Sequence, residues 1–311
     1  MKLDPIHKRA IAIEGLDGTG KESVSKALRD MMIERGFTVE RISFPRYDTK
    51  IGGVIQDYLS GEFGDPTHLN GNLISPLYTL DRIQYLEEHP LFESENDFLI
   101  MDRSYFSNFI YQASKLKNPM ELALWMLRSY FQEIIATGLE GNFFEVYYLR
   151  LPESERQKQI ASRANLDGHE SNTDYLRTCE KFVDFSRSSI FEKTLQQNLT
   201  LAGEDFYLDR LLHFFKIRVR IIDVRHEDDP EKIDEAIRET AEKIYTFATR
   251  NLDYLPADLC GLFEKEYPTL PNYSMILHQI HFLKSDVGLM KDMNLAINGW
   301  GTDVKEDDPN G

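Results

Sequence analysis

Residues 15–21 read Gly-Leu-Asp-Gly-Thr-Gly-Lys, between an apolar run at Ala10–Glu14 and a helix-forming stretch at Glu22–Met32. Gly15, Gly18 and Gly20 let the backbone turn tightly with its N–H groups inward, and the helix that follows directs its positive end at the same point. Lys21 adds a full charge to that cradle. The pattern requires strand, anion-binding loop and helix in that order. The fold must therefore start as an α/β unit with a polyphosphate site at the end of its first strand. Thr19 completes the loop. Glu22 stands where a hydroxyl residue usually follows the lysine, and Ser23 comes one place later. The residues expected on nucleotide phosphates are Gly15, Gly18, Thr19, Gly20, Lys21, Glu22 and Ser23.

Further apolar, β-branched or aromatic runs occur at Thr38–Phe44, Asp97–Met101, Phe143–Leu149 and Val219–Val224, with helical patterns between them. Strands alternating with helices imply right-handed crossovers and a parallel sheet covered on both faces. Ligands of such sheets bind beyond the carboxyl ends of the strands. The first strand delivers the phosphate cradle to that edge and the third delivers Asp102-Arg103. Met120–Ala136 is apolar on most sides, which marks a buried helix. Pro152–Arg187 reads as two polar helices broken around Asn165–Asn172, as suits a lid, and a further amphipathic helix ends near Phe247.

The net charge of −16 argues against broad electrostatic binding to nucleic acid or an anionic membrane. Cys179 and Cys260 lack metal-site spacing. No apolar run reaches spanning length and Met1–Arg9 lacks a signal-peptide core, so a cytoplasmic location is the expectation.

Several segments in order resemble the thymidylate kinase family: Phe44-Pro45-Arg46-Tyr47, Ile51-Gly52 with Tyr58-Leu59-Ser60-Gly61, and Leu77-Tyr78-Thr79-Leu80-Asp81-Arg82. Residues 102–112, Asp-Arg-Ser-Tyr-Phe-Ser-Asn-Phe-Ile-Tyr-Gln, match that family's Asp-Arg-Tyr-x-x-Ser-Asn-x-Ala-Tyr-Gln except at Ser104. Pro152-Glu153 and Arg163-x-x-Leu166-Asp167 look like its lid. The resemblance implies a three-layer phosphate-loop kinase fold on a five-stranded parallel sheet, occupying residues 1–250 with a lid near 152–172. Residues 251–311 would be a C-terminal extension, read as a strap or a dimer contact. The implied activity is transfer of the γ-phosphoryl of ATP, with Mg2+, to deoxythymidine 5′-monophosphate (dTMP), and the implied assembly is a homodimer.

Such a transfer needs no general base, because the acceptor oxygen is already anionic. It needs in-line positioning and cations spread over the moving group. Lys21, Arg103 and a lid arginine, Arg163 with Arg156 in reserve, are the cations. The resemblance places Arg46 and Arg103 on the acceptor phosphate, Tyr78 on the base face, and Arg82 and Asn108 on the base edges. Tyr111 then lies beneath the sugar and Asp17 near its 3′-hydroxyl, with Phe44 and Ser107 completing the acceptor set. Asp102 and Glu22 are the candidate metal ligands; the other reading turns Glu22 outward on its helix and leaves the metal to phosphates, waters and Asp102. Ser104 removes an aromatic ring beside the acceptor, so a modified pyrimidine nucleotide is a further acceptor reading. Two other readings stay open: a deoxynucleoside kinase, for which Asp48 is the nearest acid, and a non-catalytic nucleotide sensor.

Overall fold

All five runs form strands, and every strand pairing is parallel. They are β1 (Arg9–Gly15), β2 (Val39–Ser43), β3 (Phe98–Asp102), β4 (Glu145–Arg150) and β5 (Val219–Asp223), in the spatial order β2-β3-β1-β4-β5. The computed structural model describes residues 9–249 except 90–93, 136, 138, 140–143, 162–171, 205–207, 210, 213–217, 226 and 228. Arg163, most of the segment 165–172 and the extension 251–311 lie outside the described residues.

The sheet is buried on both faces, which is why its central strands read as continuous apolar runs rather than alternating ones. Along β1, Ile11 and Ile13 enter one core with Val24, Leu28 and Met32 of α1 (Lys21–Glu34) and Ala241, Ile244 and Ala248 of α9 (Pro230–Thr249). Ala10 and Ala12 enter the opposite core, which holds α4 (Tyr105–Tyr111), α5 (Pro119–Tyr130), α7 (Thr173–Ser186) and α8 (Ser189–Ala202). The result is the expected three-layer α/β fold. α2 (Lys50–Ser60) and α3 (Gly71–Glu88) form a smaller cluster through Ile55, Tyr58, Leu59 and Ile74.

The long apolar helix expected over 120–136 divides in two. α5 ends at Tyr130, and Phe131–Ile135 continue as a π-helical turn. α6 (Glu153–Ala161) opens the segment expected from sequence to be a lid. It is tied to α7 by Arg156–Glu180 at 3.1 Å and Arg177–Glu153 at 2.6 Å.

The chain turns back on itself around β1: β2 and β3 lie to one side, β4 and β5 to the other. The crevice at such a reversal is where open α/β sheets bind ligands. β1 ends there in the glycine-rich loop and β3 ends there in Asp102-Arg103, with Ile13 in register with Asp102.

Candidate active site

The loop after β1 has the conformation its glycines allow. Gly15, Gly18 and Gly20 have φ of 148°, 84° and 79°, all in the region that side chains disfavour. A Cβ on Gly18 would lie 2.8 Å from the carbonyl oxygen of Arg156, so α6 rests directly on the loop. Thr19 Oγ1 and Lys21 Nζ both donate to the Leu16 carbonyl, at 2.8 and 2.9 Å, and close the loop from inside.

Charges of both signs converge beneath it. Asp17 is buried and takes an ion pair from Arg103, a hydrogen bond from the Tyr111 hydroxyl at 2.9 Å, and Lys21 Nζ at 3.6 Å. Burial alone would raise the Asp17 carboxyl, but Arg103 and Lys21 outweigh it and hold the group far below the usual carboxylate range. Arg103 has φ 71°, the one described non-glycine residue at positive φ, and its N–H donates to the Ile13 carbonyl at 3.1 Å. That backbone turn carries its guanidinium off β3 and under the loop. Glu14, at the base of the loop, is fully buried. It accepts from the N–H and hydroxyl of both Ser104 and Ser107, and burial raises its carboxyl against those bonds.

Burial first, and Arg103 second, push the Lys21 ammonium down to about 8. A Lys lowered in this way makes the empty site less stable below that pH, where it must be charged, and the penalty fades as pH rises through 8. A polyphosphate reverses the sign by favouring the ammonium. Binding ATP near pH 8 is therefore expected to take up a proton, seen as a calorimetric enthalpy that changes with buffer ionisation enthalpy. An enthalpy independent of buffer would contradict this role for Lys21.

Beside the loop lies an open cleft. Its walls include Asp17, Phe44, Tyr78, Arg82, Arg103, Ser107, Asn108 and Tyr111, eight of the nine acceptor residues named from sequence. They come from the loop, the end of β2, α3, the turn after β3, and α4. Arg103 stands 5.9 Å over the Tyr111 ring and belongs to both the cleft and the loop network.

Arg46 does not line the cleft. Its backbone N–H, Nε and Nη2 all bond to Asp81 of α3, at 2.9, 3.0 and 3.1 Å, and draw it toward α3. Its neighbour Tyr47, not singled out from sequence, lines the cleft instead, together with Pro45, Leu59 and Gln112. Ser107 lines the cleft, but its hydroxyl is committed to Glu14. Ser104 opens no space there. It is buried, caps α4 through Phe106 N–H at 3.2 Å and bonds to Glu14.

Neither candidate metal ligand stands poised. Glu22 is exposed and pairs with Lys26 one helical turn on, at 2.6 Å, and Ser23 is exposed beside it. Asp102 accepts from Arg41 Nη2 at 2.7 Å, while Arg41 Nε donates to Ser25 at 2.8 Å. Among the described residues no three His, Cys, Asp or Glu side chains converge. These side chains do not form a protein cage for magnesium. Glu22→Ser is accordingly expected to keep kcat/KM within about tenfold of wild type. A loss as deep as that of Lys21→Ala would show that the carboxylate acts directly.

A glycine-rich loop with its lysine at one sheet edge, an acidic and a cationic residue beneath it, and an aromatic-lined cleft alongside make up the candidate site. The family model for thymidylate kinase matches residues 13–187, a span of more than half the chain. The chain belongs to the thymidylate kinase family. It is 32% identical over 111 residues to the probable thymidylate kinase of Methanosphaera stadtmanae, covering 35% of this chain and 55% of that protein. It is 29% identical over 164 residues to thymidylate kinase of Mycobacterium tuberculosis (52% and 69%). To thymidylate kinase of Schizosaccharomyces pombe it is 34% identical over 110 residues (34% and 49%). The matched stretches thus span about half to two thirds of those relatives' own lengths.

Proposed function

We propose that the protein transfers the γ-phosphoryl of ATP to the 5′-phosphate of dTMP, yielding ADP and the deoxythymidine diphosphate. The observation that carries this reading is the position of Arg103, paired with Asp17 of the phosphate loop while forming a wall of the cleft. A cation at the junction of two sites is what in-line transfer between two phosphates requires, since it can bridge both and follow the charge as it moves.

The loop N–H groups and Lys21 take the β- and γ-phosphates. A phosphate monoester oxygen is anionic near neutral pH, so no base is called for. Tyr78 faces the base, Arg82 and Asn108 meet its edge, and Tyr111 and Asp17 hold the sugar, with Asp17 accepting from the 3′-hydroxyl. Tyr47, rather than Arg46, joins Arg103 at the acceptor phosphate. The lid adds a cation from Arg156, which packs on Gly18, or from Arg163. Mg2+ accompanies ATP, and no step is assigned to it.

A homodimer is part of the same reading, supported by Leu73 and Leu124, exposed apolar residues on α3 and α5 whose helices are joined by Arg128–Asn72 at 2.9 Å. A cytoplasmic location is also part of it. No helix among the described residues is long and apolar enough to cross a membrane.

An ATP-coupled assay across nucleosides and their 5′-monophosphates tests the reading. Turnover is expected with dTMP. Turnover of a nucleoside but no monophosphate would favour a deoxynucleoside kinase, and none at all would favour a sensor.

A further inference from the structure

Glu133 sits in the π-helical turn after α5 and is only 2% exposed. Single π turns inside α-helices recur at functional sites because the wider turn re-aims one side chain. Here Glu133 meets residues of two other helices at once. Its Oε1 accepts from Thr79 Oγ1 at 2.7 Å, Arg82 Nη2 at 2.9 Å and Asn108 Nδ2 at 3.2 Å. Its Oε2 accepts from Arg82 Nε at 2.5 Å. Arg82 and Asn108 are walls of the cleft, whereas Glu133 and Thr79 lie behind them.

A buried carboxylate with an arginine fork is on its face a structural ion pair, and such pairs are poor stabilisers once desolvation is counted. The third partner gives it a further consequence. The Asn108 amide nitrogen is committed to Glu133, to the Ser75 carbonyl at 3.1 Å and to Thr79 Oγ1 at 3.4 Å, all acceptors. That network fixes which end of the amide is nitrogen. The opposite end, Oδ1, is buried and has no hydrogen-bond partner. Glu133 thereby imposes an ordered pair on the cleft wall, an acceptor from Asn108 beside a donor-only guanidinium from Arg82. The complementary ligand edge carries an N–H next to a carbonyl oxygen. A 4-oxopyrimidine presents that edge; a 4-aminopyrimidine presents the reverse, a ring-nitrogen acceptor beside an amino donor.

Building on the reading of the cleft as the nucleoside monophosphate site, we propose that Glu133 is the positioning residue that selects 4-oxo over 4-amino pyrimidines. It sets the direction of the Asn108 amide and the aim of the Arg82 fork without touching the substrate. A mismatched base would leave buried polar groups unpaired on both sides, the situation in which sites reject analogues most strongly.

The test is steady-state kinetics of wild type and Glu133→Gln with dTMP and dCMP as acceptors and ATP as donor, alongside thermal melts. A glutamine of nearly the same shape cannot accept at both oxygens. KM for dTMP is expected to rise about tenfold or more, KM for ATP to stay within about twofold, and the dTMP-to-dCMP ratio of kcat/KM to fall about tenfold. A lower melting temperature with that ratio unchanged would overturn the proposal and leave Glu133 a structural ion pair. If Glu133→Gln does not fold, Thr79→Val decides, because it removes one donor from the carboxylate outside the cleft. A fall of about threefold in the same ratio supports the positioning role, and an unchanged ratio rejects it. Wild type inactive on dTMP would instead defeat the reading of the cleft itself.

Discussion

Arg103→Ala is expected to lower kcat/KM for dTMP by about 10³-fold or more, the range seen when a transition-state arginine is lost from a phosphoryl-transfer site. The guanidinium is a quarter exposed, bonds to Asp17 and stands over Tyr111, so it faces the loop and the cleft rather than the core. Its removal leaves Asp17 with Lys21 at 3.6 Å and Tyr111 at 2.9 Å, a weaker set of partners for a buried carboxylate. The Asp17 carboxyl should then rise, and its own contribution to sugar binding should weaken with it. Arg103→Lys keeps the charge but loses the planar fork, and should fall between alanine and wild type. Kinetics with each variant, with melting curves as control, measure this. A loss below tenfold for alanine would mean that Arg103 serves only to neutralise Asp17.

Gly52→Ala is the second large effect and acts through the backbone. α2 begins against the loop that follows β2, stitched by Thr49, whose hydroxyl donates to the Arg46 carbonyl at 2.9 Å and accepts from Gly52 N–H at 3.0 Å. A Cβ on Gly52 would stand 1.8 Å from the Arg46 carbonyl oxygen and 2.9 Å from Tyr47 Cα. No flexible side chain can yield there, so the backbone at 46–47 must move. Overpacking of this kind costs about 3 kcal/mol. In a protein of this size that lowers the melting temperature by roughly 4–6 °C. Tyr47 would leave the cleft with the displaced loop, so KM for dTMP should rise about tenfold while KM for ATP holds. A variant that melts like wild type and binds dTMP normally would mean that α2 packs on this loop less closely than described.

The sheet was legible because its central strands are buried on both faces and so appear as unbroken apolar runs. The phosphate cradle was legible because glycines at positive φ leave a spacing that few other structures need. Most of the acceptor cleft followed from the family resemblance at Phe44, Tyr78, Arg82 and residues 102–112. What escaped was decided by partners distant in sequence. Nothing near Arg46 says that Asp81, 35 residues on, will hold its guanidinium and leave Tyr47 to the cleft. Ser104 looked like a missing ring because its bond to Glu14, 90 residues back, is invisible in the chain. Glu133 lay inside a stretch read as one buried helix, since a single π turn leaves the apolar pattern intact while turning one carboxylate inward. Arg163 and the segment 251–311 lie outside the described residues.

The most direct measurement is phosphorus NMR of the full chain incubated with ATP, magnesium and dTMP. ATP should give way to ADP and deoxythymidine diphosphate in equal amounts, with no release of inorganic phosphate beyond background. Unchanged dTMP, or ATP consumed only to ADP and inorganic phosphate, would contradict a kinase that joins the two sites through Arg103.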